Sequence, residues 1–162
     1  MHTEASQWVQ FVSTKINPTR VMDQGGRNVN GSISQFFPNA EWVAVDISDG
    51  PGVDVVADCS TYVLPGCDLV TSTELFEHTF KSPQIIQCAY DSLVFGGSYI
   101  ITTAGLKRPP HGQHGEPLPA KGEYYHNIDP LWLMEQLVGV GFKNIYMDVR
   151  ESPSDVRAWC IK

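Results

Sequence analysis

The chain has 162 residues, 42% of them hydrophobic and 18% charged, with a formal net charge of -7. That length suits one domain, 1–162, able to bury roughly 68–70% of its unfolded surface. The acidic balance argues against a surface built to grip phosphate backbones, so nucleic acid is not the expected partner. The sole basic cluster is Lys107-Arg108. No apolar run approaches the roughly 20 residues that span a bilayer, and no basic leader precedes an apolar stretch, so no membrane association is expected and the reading is cytoplasmic. Cys59, Cys67, Cys88 and Cys160 lack paired metal-type spacing and have mostly apolar neighbours. Such cysteines read as free buried thiols in a reducing compartment.

In chain order, residues 1–17 hold an N-terminal helix. Ala5, Trp8, Val9, Val12 and Ile16 recur at helical spacing, Thr3 is placed to cap the start, and Asn17-Pro18 ends it. Arg20 to Gln24 is a first strand. Gly31 to Phe37 is a short helix, and Glu41 to Asp46 is a second strand. Val53 to Ala57 is a third apolar run that ends at Asp58, and Cys67 to Ser72 is a fourth strand. Ser82-Pro83 starts a helix, with serine as cap and proline in the first turn. Its buried stripe is Ile85, Ile86, Ala89 and Leu93. Phe95-Gly96-Gly97 stops it, and Ser98 to Thr103 is a fifth strand.

Residues 105–128 differ in composition. They hold Pro109, Pro110, Pro117 and Pro119, several glycines, and His111, His114 and His126. A loop of this length in a compact domain is usually functional, and a lid is the expected role. Asp129-Pro130 then starts a helix with Leu131, Met134, Leu137 and Val138 as its apolar face, closed by Gly141. Lys143 to Val149 and Val156 to Ile161 are strands joined by a short turn at Ser152-Pro153-Ser154, hence antiparallel. The expected fold is α/β: a three-layer, Rossmann-like, mostly parallel seven-stranded sheet with a C-terminal antiparallel hairpin and helices on both faces.

In such sheets a ligand lies beyond the carboxyl ends of the strands. The residues there are Asp23 to Asn28, Asp46, Ile47, Asp58, Cys59 and Ser72 to Glu74. Gly25 and Gly26 bring backbone close to a ligand. Asp46 can accept two hydrogen bonds from vicinal hydroxyls. Asp58 can accept from an exocyclic amine, and the Cys59 backbone can pair with a ring nitrogen. Ser72, Thr73 and Glu74 lie beneath the reacting end. In this order they describe a nucleoside site.

These segments resemble class I S-adenosylmethionine-dependent methyltransferases of the small, single-domain type. Val21-Met22-Asp23-Gln24-Gly25 is similar to the first motif of that family and Val43-Ala44-Val45-Asp46-Ile47 to the second. Val55-Val56-Ala57-Asp58 is similar to the adenine segment, and Gly96 to Thr103 to the fifth strand after its Gly-Gly turn. Most specific is the fourth-strand segment, Cys67 to His78, with Glu74-x-x-Glu77-His78 after an apolar run. The departure is the glycine loop: Arg27 and Val29 stand where the second and third glycines usually fall, as in a subgroup with a similar Val-Asn-Gly-Ser loop. Arg27 would either pair with the cofactor carboxylate or be solvated.

The resemblance implies S-adenosyl-L-methionine as cofactor, held by Asp23, Gly25, Gly26, Asp46, Ile47, Asp58, Cys59, Thr73 and Glu74. It implies methyl transfer by in-line displacement; the lack of an inserted substrate domain and the acidic balance make the expected acceptor a small molecule or saccharide. Alignment is worth roughly 7–11 kcal/mol in favourable cases, and a general base typically adds about 10²–10⁴-fold. Candidates for that base or for substrate contact are His78, His114 and Tyr125. His111, Tyr124 and His126 are further side chains of the same region. His111-Gly112-Gln113-His114 with Glu116 and His126 could be a metal site, but a glycine-flanked loop gives no sign of the fixed geometry and supporting contacts such a site needs, and no metal is expected. The acceptor pocket would come from the N-terminal helix, the long loop and, in a homodimer, a neighbouring subunit. Two other functions fit parts of the sequence. One is a cofactor-binding but inactive partner subunit, favoured by the altered glycine loop. The other is a nicotinamide-dependent reductase, since Asp46 suits that ribose too, but Gly-x-Gly-x-x-Gly and Tyr-x-x-x-Lys are missing.

Overall fold

The computed structural model describes residues 3–162. Seven strands form one sheet: β1 (Arg20–Gln24), β2 (Glu41–Asp46), β3 (Val55–Val56), β4 (Cys67–Thr73), β5 (Leu93–Ala104), β6 (Lys143–Arg150) and β7 (Asp155–Ile161). Their spatial order is β3-β2-β1-β4-β5-β7-β6. All pairs from β3 to β5 are parallel, and β7 runs antiparallel between β5 and β6. The expected architecture is therefore the observed one. The order reverses direction between β1 and β4, and a crevice opens at that point.

Successive side chains on a strand point to opposite faces, and the core divides accordingly. Met22, Val45, Val70, Tyr99 and Ile101 face α2 (Ser82–Ser92) and α3 (Pro130–Val140), against Ile85, Ile86, Ala89, Leu133 and Leu137. Val21, Leu69 and Ile100 face the other way, onto Trp8, Val9 and Val12 of α1 (Thr3–Ser13) and onto Ile33 and Phe37. All four cysteines are buried and unpaired. No described helix is long and apolar enough to cross a membrane.

Several boundaries move for local reasons. α1 begins at Thr3, so its cap position, with residues 1 and 2, lies outside the described residues. It ends at Ser13, where Ser13 Oγ and Thr14 Oγ1 donate to Gln10 and Phe11 carbonyls. Ile16 packs on the same core from beyond the helix. Between β1 and β2 the short helix is one 3-10 turn, Ile33–Phe36, with Ser32 Oγ accepting from Ser34 N–H at 3.2 Å. The third run pairs only at Val55–Val56, because the Asp54 carboxylate takes the Ala44 N–H at 2.8 Å. Ser82 is the first residue of α2 rather than its cap: its buried hydroxyl donates to the Thr79 carbonyl at 3.1 Å. α2 then passes directly into β5 at Leu93, and Gly96-Gly97 lies within that strand.

The face of α3 also differs from the expected one. Leu133 and Leu137 are fully buried, whereas Leu131 is 74% and Val138 59% exposed. The helix is apolar on nearly every side, so periodicity fixes its rotation poorly. Its ends are as expected. The Asp129 carboxylate accepts from Leu131 and Trp132 N–H at 2.7 and 3.4 Å, and Gly141 closes it at φ 117°.

The long loop is tied at its neck. Gly105 and Ile128 form a β-bridge, Ile128 N–H donates to Ala104 O at 2.8 Å, and Gly105 N–H donates to Ser154 O at 2.7 Å. Asn127 Nδ2 adds bonds to the Gly105 and Arg108 carbonyls at 2.5 and 2.8 Å.

Candidate functional site

A cavity of about 500 Å³ opens at the carboxyl ends of β1, β2 and β4 and beneath the long loop. Every expected cofactor residue lines it: Asp23, Gly25, Gly26, Asp46, Ile47, Asp58, Cys59, Thr73 and Glu74.

The glycine turn explains its own composition. Gly25 has φ 73°, and both Gly25 N–H and Gly26 N–H donate to Val45 O, at 2.8 and 3.1 Å. A Cβ on Gly26 would stand 2.8 Å from Ala44 Cβ and 2.9 Å from Asp23 O. The turn is thus wedged against β2, and neither position accepts a side chain without movement.

Asp23 is buried at the end of β1. Thr71 Oγ1 donates to its Oδ1 at 2.7 Å. Burial raises its carboxyl to about 7; Thr71 opposes the shift and Asp46 adds to it. Asp46 is half-buried, accepting Ser48 N–H at 2.9 Å on Oδ1 and Arg27 N–H at 3.4 Å on Oδ2. Ile47 beside it is 69% exposed, an apolar side chain left on the cavity rim. Asp58 is more engaged than its sequence context implies. Ser60 N–H and Oγ donate to its Oδ1 at 2.9 and 2.6 Å, and Lys81 Nζ lies 2.7 Å from Oδ2. Lys81 and then Ser60 lower its carboxyl to about 2. Cys59 is buried, and that burial pushes its thiol up to about 12, which makes it inert.

Arg27 is only partly solvated. It is half-buried, its side chain lies over Gly50, and its guanidinium meets the His114 ring. Its Nε is buried without a partner among the described residues. The expected base candidates separate. His78 lines the cavity. His114 does not; it sits on Arg27. Tyr125 lies behind His78, with ring centroids 5.5 Å apart, and donates its hydroxyl to Pro109 O at 3.3 Å. Burial and the negative charge of Glu77 push that phenol up. Desolvation and His111 hold the His78 ring down at about 4, so it is neutral at physiological pH. His126 borders a separate cavity of about 350 Å³ with Thr79, Phe80 and Trp132.

Two features are absent from the sequence reading. Glu77 is fully buried, with Thr103 Oγ1 on its Oε2 at 2.8 Å and Ala104 N–H on its Oε1 at 3.3 Å. Burial, and next the charge of Glu74, raise it to about 8. Ligand atoms of Glu77, His78 and His111 lie within 4.8 Å of one another. The Glu-x-x-Glu-His spacing was the available signal, but sequence does not tell that the second glutamate turns inward. The other feature is a buried ionic group. Arg108 lines the cavity and pairs with Asp155 at 2.5 Å; Asp155 also pairs with Arg157 at 3.0 Å. Pairing across 47 positions leaves no local sequence signal.

No family model matches the sequence, and no curated protein matches it. Solved structures match its fold. Phosphoethanolamine N-methyltransferase 2 of Haemonchus contortus, in complex with S-adenosyl-L-methionine, is 12% identical with a TM-score of 0.70, covering 98% of this chain and 56% of that one. This chain therefore spans little more than half the length of that protein. An S-adenosylmethionine-dependent methyltransferase from Archaeoglobus fulgidus is 14% identical with a TM-score of 0.71, covering 98% of this chain and 93% of that one. The 1,6-didemethyltoxoflavin-N1-methyltransferase of Burkholderia thailandensis, with S-adenosylhomocysteine bound, is 14% identical with a TM-score of 0.68, covering 98% and 78%. The chain has the fold of the class I S-adenosylmethionine-dependent methyltransferases.

Proposed function

We propose that the protein is an S-adenosylmethionine-dependent methyltransferase acting on a small-molecule acceptor. The observation that carries this reading is convergence. Residues from four separate segments, each suited to nucleoside chemistry, line one cavity at the switch point of a methyltransferase-fold sheet. Asp46 would take the ribose hydroxyls. Ile47, Leu75 and Ile85 would enclose the adenine, and Asp58, held by Lys81, would accept from its exocyclic amine. The glycine turn and buried Asp23 lie at the methionine end, where a cationic amine and sulfonium favour the ionised form of a carboxyl otherwise raised to about 7. Neutral His78 is the residue placed to take a proton from an acceptor; Tyr125 supports its ring from behind.

Transfer itself is a displacement at the methyl carbon. The acceptor lone pair forms the new bond, the carbon–sulfur bond breaks, and its electron pair stays on sulfur. The chain's contribution is to align the two and to exclude water under the loop. Calorimetric titration with S-adenosylmethionine and with NAD tests the reading: sulfonium binding without NAD binding is expected, and the reverse overturns it. Methyl transfer to a panel of hydroxyl, carboxyl and amine acceptors then separates an enzyme from an inactive binding subunit.

A further inference from the structure

Glu77, His78 and His111 meet at the edge of the cavity, in an arrangement that methyl transfer does not require. Glu77 and His78 leave β4 in the 3-10 turn Phe76–His78, and His111 arrives from the long loop with its ring 5.1 Å from that of His78. The Glu77 carboxyl accepts from Thr103, from Ala104 N–H and from its own backbone N–H, so it is aimed, and with two oxygens it keeps a lone pair for a further partner. His126 N–H also donates to Glu77 O at 2.8 Å, which fixes the backbone beneath. Pro109 O lies 3.4 Å from His111 Nδ1; a proton held there leaves Nε2 as a donor. The ligand atoms lie within 4.8 Å of one another. Atoms sharing one cation at about 2.0–2.2 Å stand roughly 3–3.5 Å apart, so modest side-chain rotation closes the set. The surrounding charge favours a cation: Glu74 acts on both Glu77 and His78, and the nearby Arg108 is paired with Asp155.

We propose that Glu77, His78 and His111 form a site for a divalent transition-metal cation that opens onto the cavity. Two imidazoles and one carboxylate suit Zn²⁺, Mn²⁺ or Fe²⁺ better than the all-oxygen sites of Ca²⁺. His78 and His111 both line the cavity, so an acceptor oxygen can complete the coordination. Resting on the methyl-transfer reading, this makes the acceptor a hydroxyl compound. With the cation bound His78 is a ligand and no longer the proton acceptor: the hydroxyl gives its proton to solvent, its oxygen bonds the methyl carbon, and the carbon–sulfur pair remains on sulfur.

The test uses Mn²⁺ alone, without any sulfonium. Protein stripped with chelator and freed of it is titrated with Mn²⁺, and free Mn²⁺ is followed by electron paramagnetic resonance. One Mn²⁺ per chain is expected, with affinity reduced at least tenfold in Glu77→Gln and in His111→Ala. His126→Ala, near the loop but outside the set, is expected to keep the affinity of the parent. Circular dichroism establishes that each variant is folded; if Glu77→Gln is not, His111→Ala decides, because its side chain is in no core cluster. Absence of stoichiometric binding, or binding that survives His111→Ala, overturns the site. Neither result bears on sulfonium binding, so the two readings fail separately.

Discussion

At the scale of single residues, Asp23 and Asp46 illustrate opposite uses of a carboxylate. Asp23 has an ordinary value of 3.8 in the unfolded chain and about 7 when folded. The folded state therefore holds the extra proton between those values, and this residue's contribution to stability falls as pH rises through that window. The full cost is reached above pH 7 and is on the order of 4 kcal/mol, at about 1.4 kcal/mol per pH unit. Asp23→Asn keeps an acceptor for Thr71 and removes the cost. It should stabilise the unliganded protein more at pH 8 than at pH 5, by ~2–3 kcal/mol, measured by urea unfolding at both values. An equal gain at both would show that the carboxyl is not held protonated. Asp46 instead lines the cavity, its two oxygens each accepting one backbone N–H, from Ser48 and from Arg27. Asp46→Ala should weaken S-adenosylmethionine binding at least tenfold, since on the proposed reading two ribose hydroxyls would lose their acceptor. An unchanged dissociation constant by calorimetry would displace the nucleoside from this position.

At the scale of elements, the ends of α3 carry more information than its middle. Asp129 accepts two N–H groups of the first turn, and removing that acceptor costs about 1 kcal/mol in typical helices. Asp129→Ala should therefore lower unfolding free energy by ~1 kcal/mol, and Asp129→Ser should restore most of it, in chemical denaturation. The same contrast explains what the sequence disclosed. Caps, Gly-Gly turns and short apolar runs are local signals, so the mostly parallel sheet and its terminal hairpin were legible, and the residues suited to nucleoside chemistry fall on one cavity. The buried face of α3 was not, because Leu131 and Val138 are as apolar as Leu133 and Leu137. Ser82 looked like a cap, but a buried hydroxyl over the Thr79 carbonyl does better as a donor. The parts of the site that depend on distant partners escaped altogether: Arg108 on Asp155, Arg27 on His114, and Glu77 under Thr103.

At the scale of the whole molecule, the long loop joins the two ends of the cavity. Its neck is fixed to β5 and β7, and its tip reaches the opposite wall. His114 meets Arg27, and a Cβ on Gly115 would stand 3.0 Å from Asn30 Nδ2. His111, Gly112, Gln113, Gly115 and Glu116 line the cavity from above. A ligand filling about 500 Å³ would add contacts to every one of these segments. Lys121, exposed between the tip and the neck, reports on this. Saturating S-adenosylhomocysteine should slow tryptic cleavage after Lys121 at least threefold. Arg108→Gln, which loosens the neck while leaving Asp155 paired with Arg157, should speed cleavage in the unliganded protein. Cleavage timed by mass spectrometry reads both. If ligand leaves the rate unchanged while calorimetry shows it bound, the loop is a fixed wall of the acceptor side. Acceptor entry would then have to occur past His78, over the rim formed by Thr79.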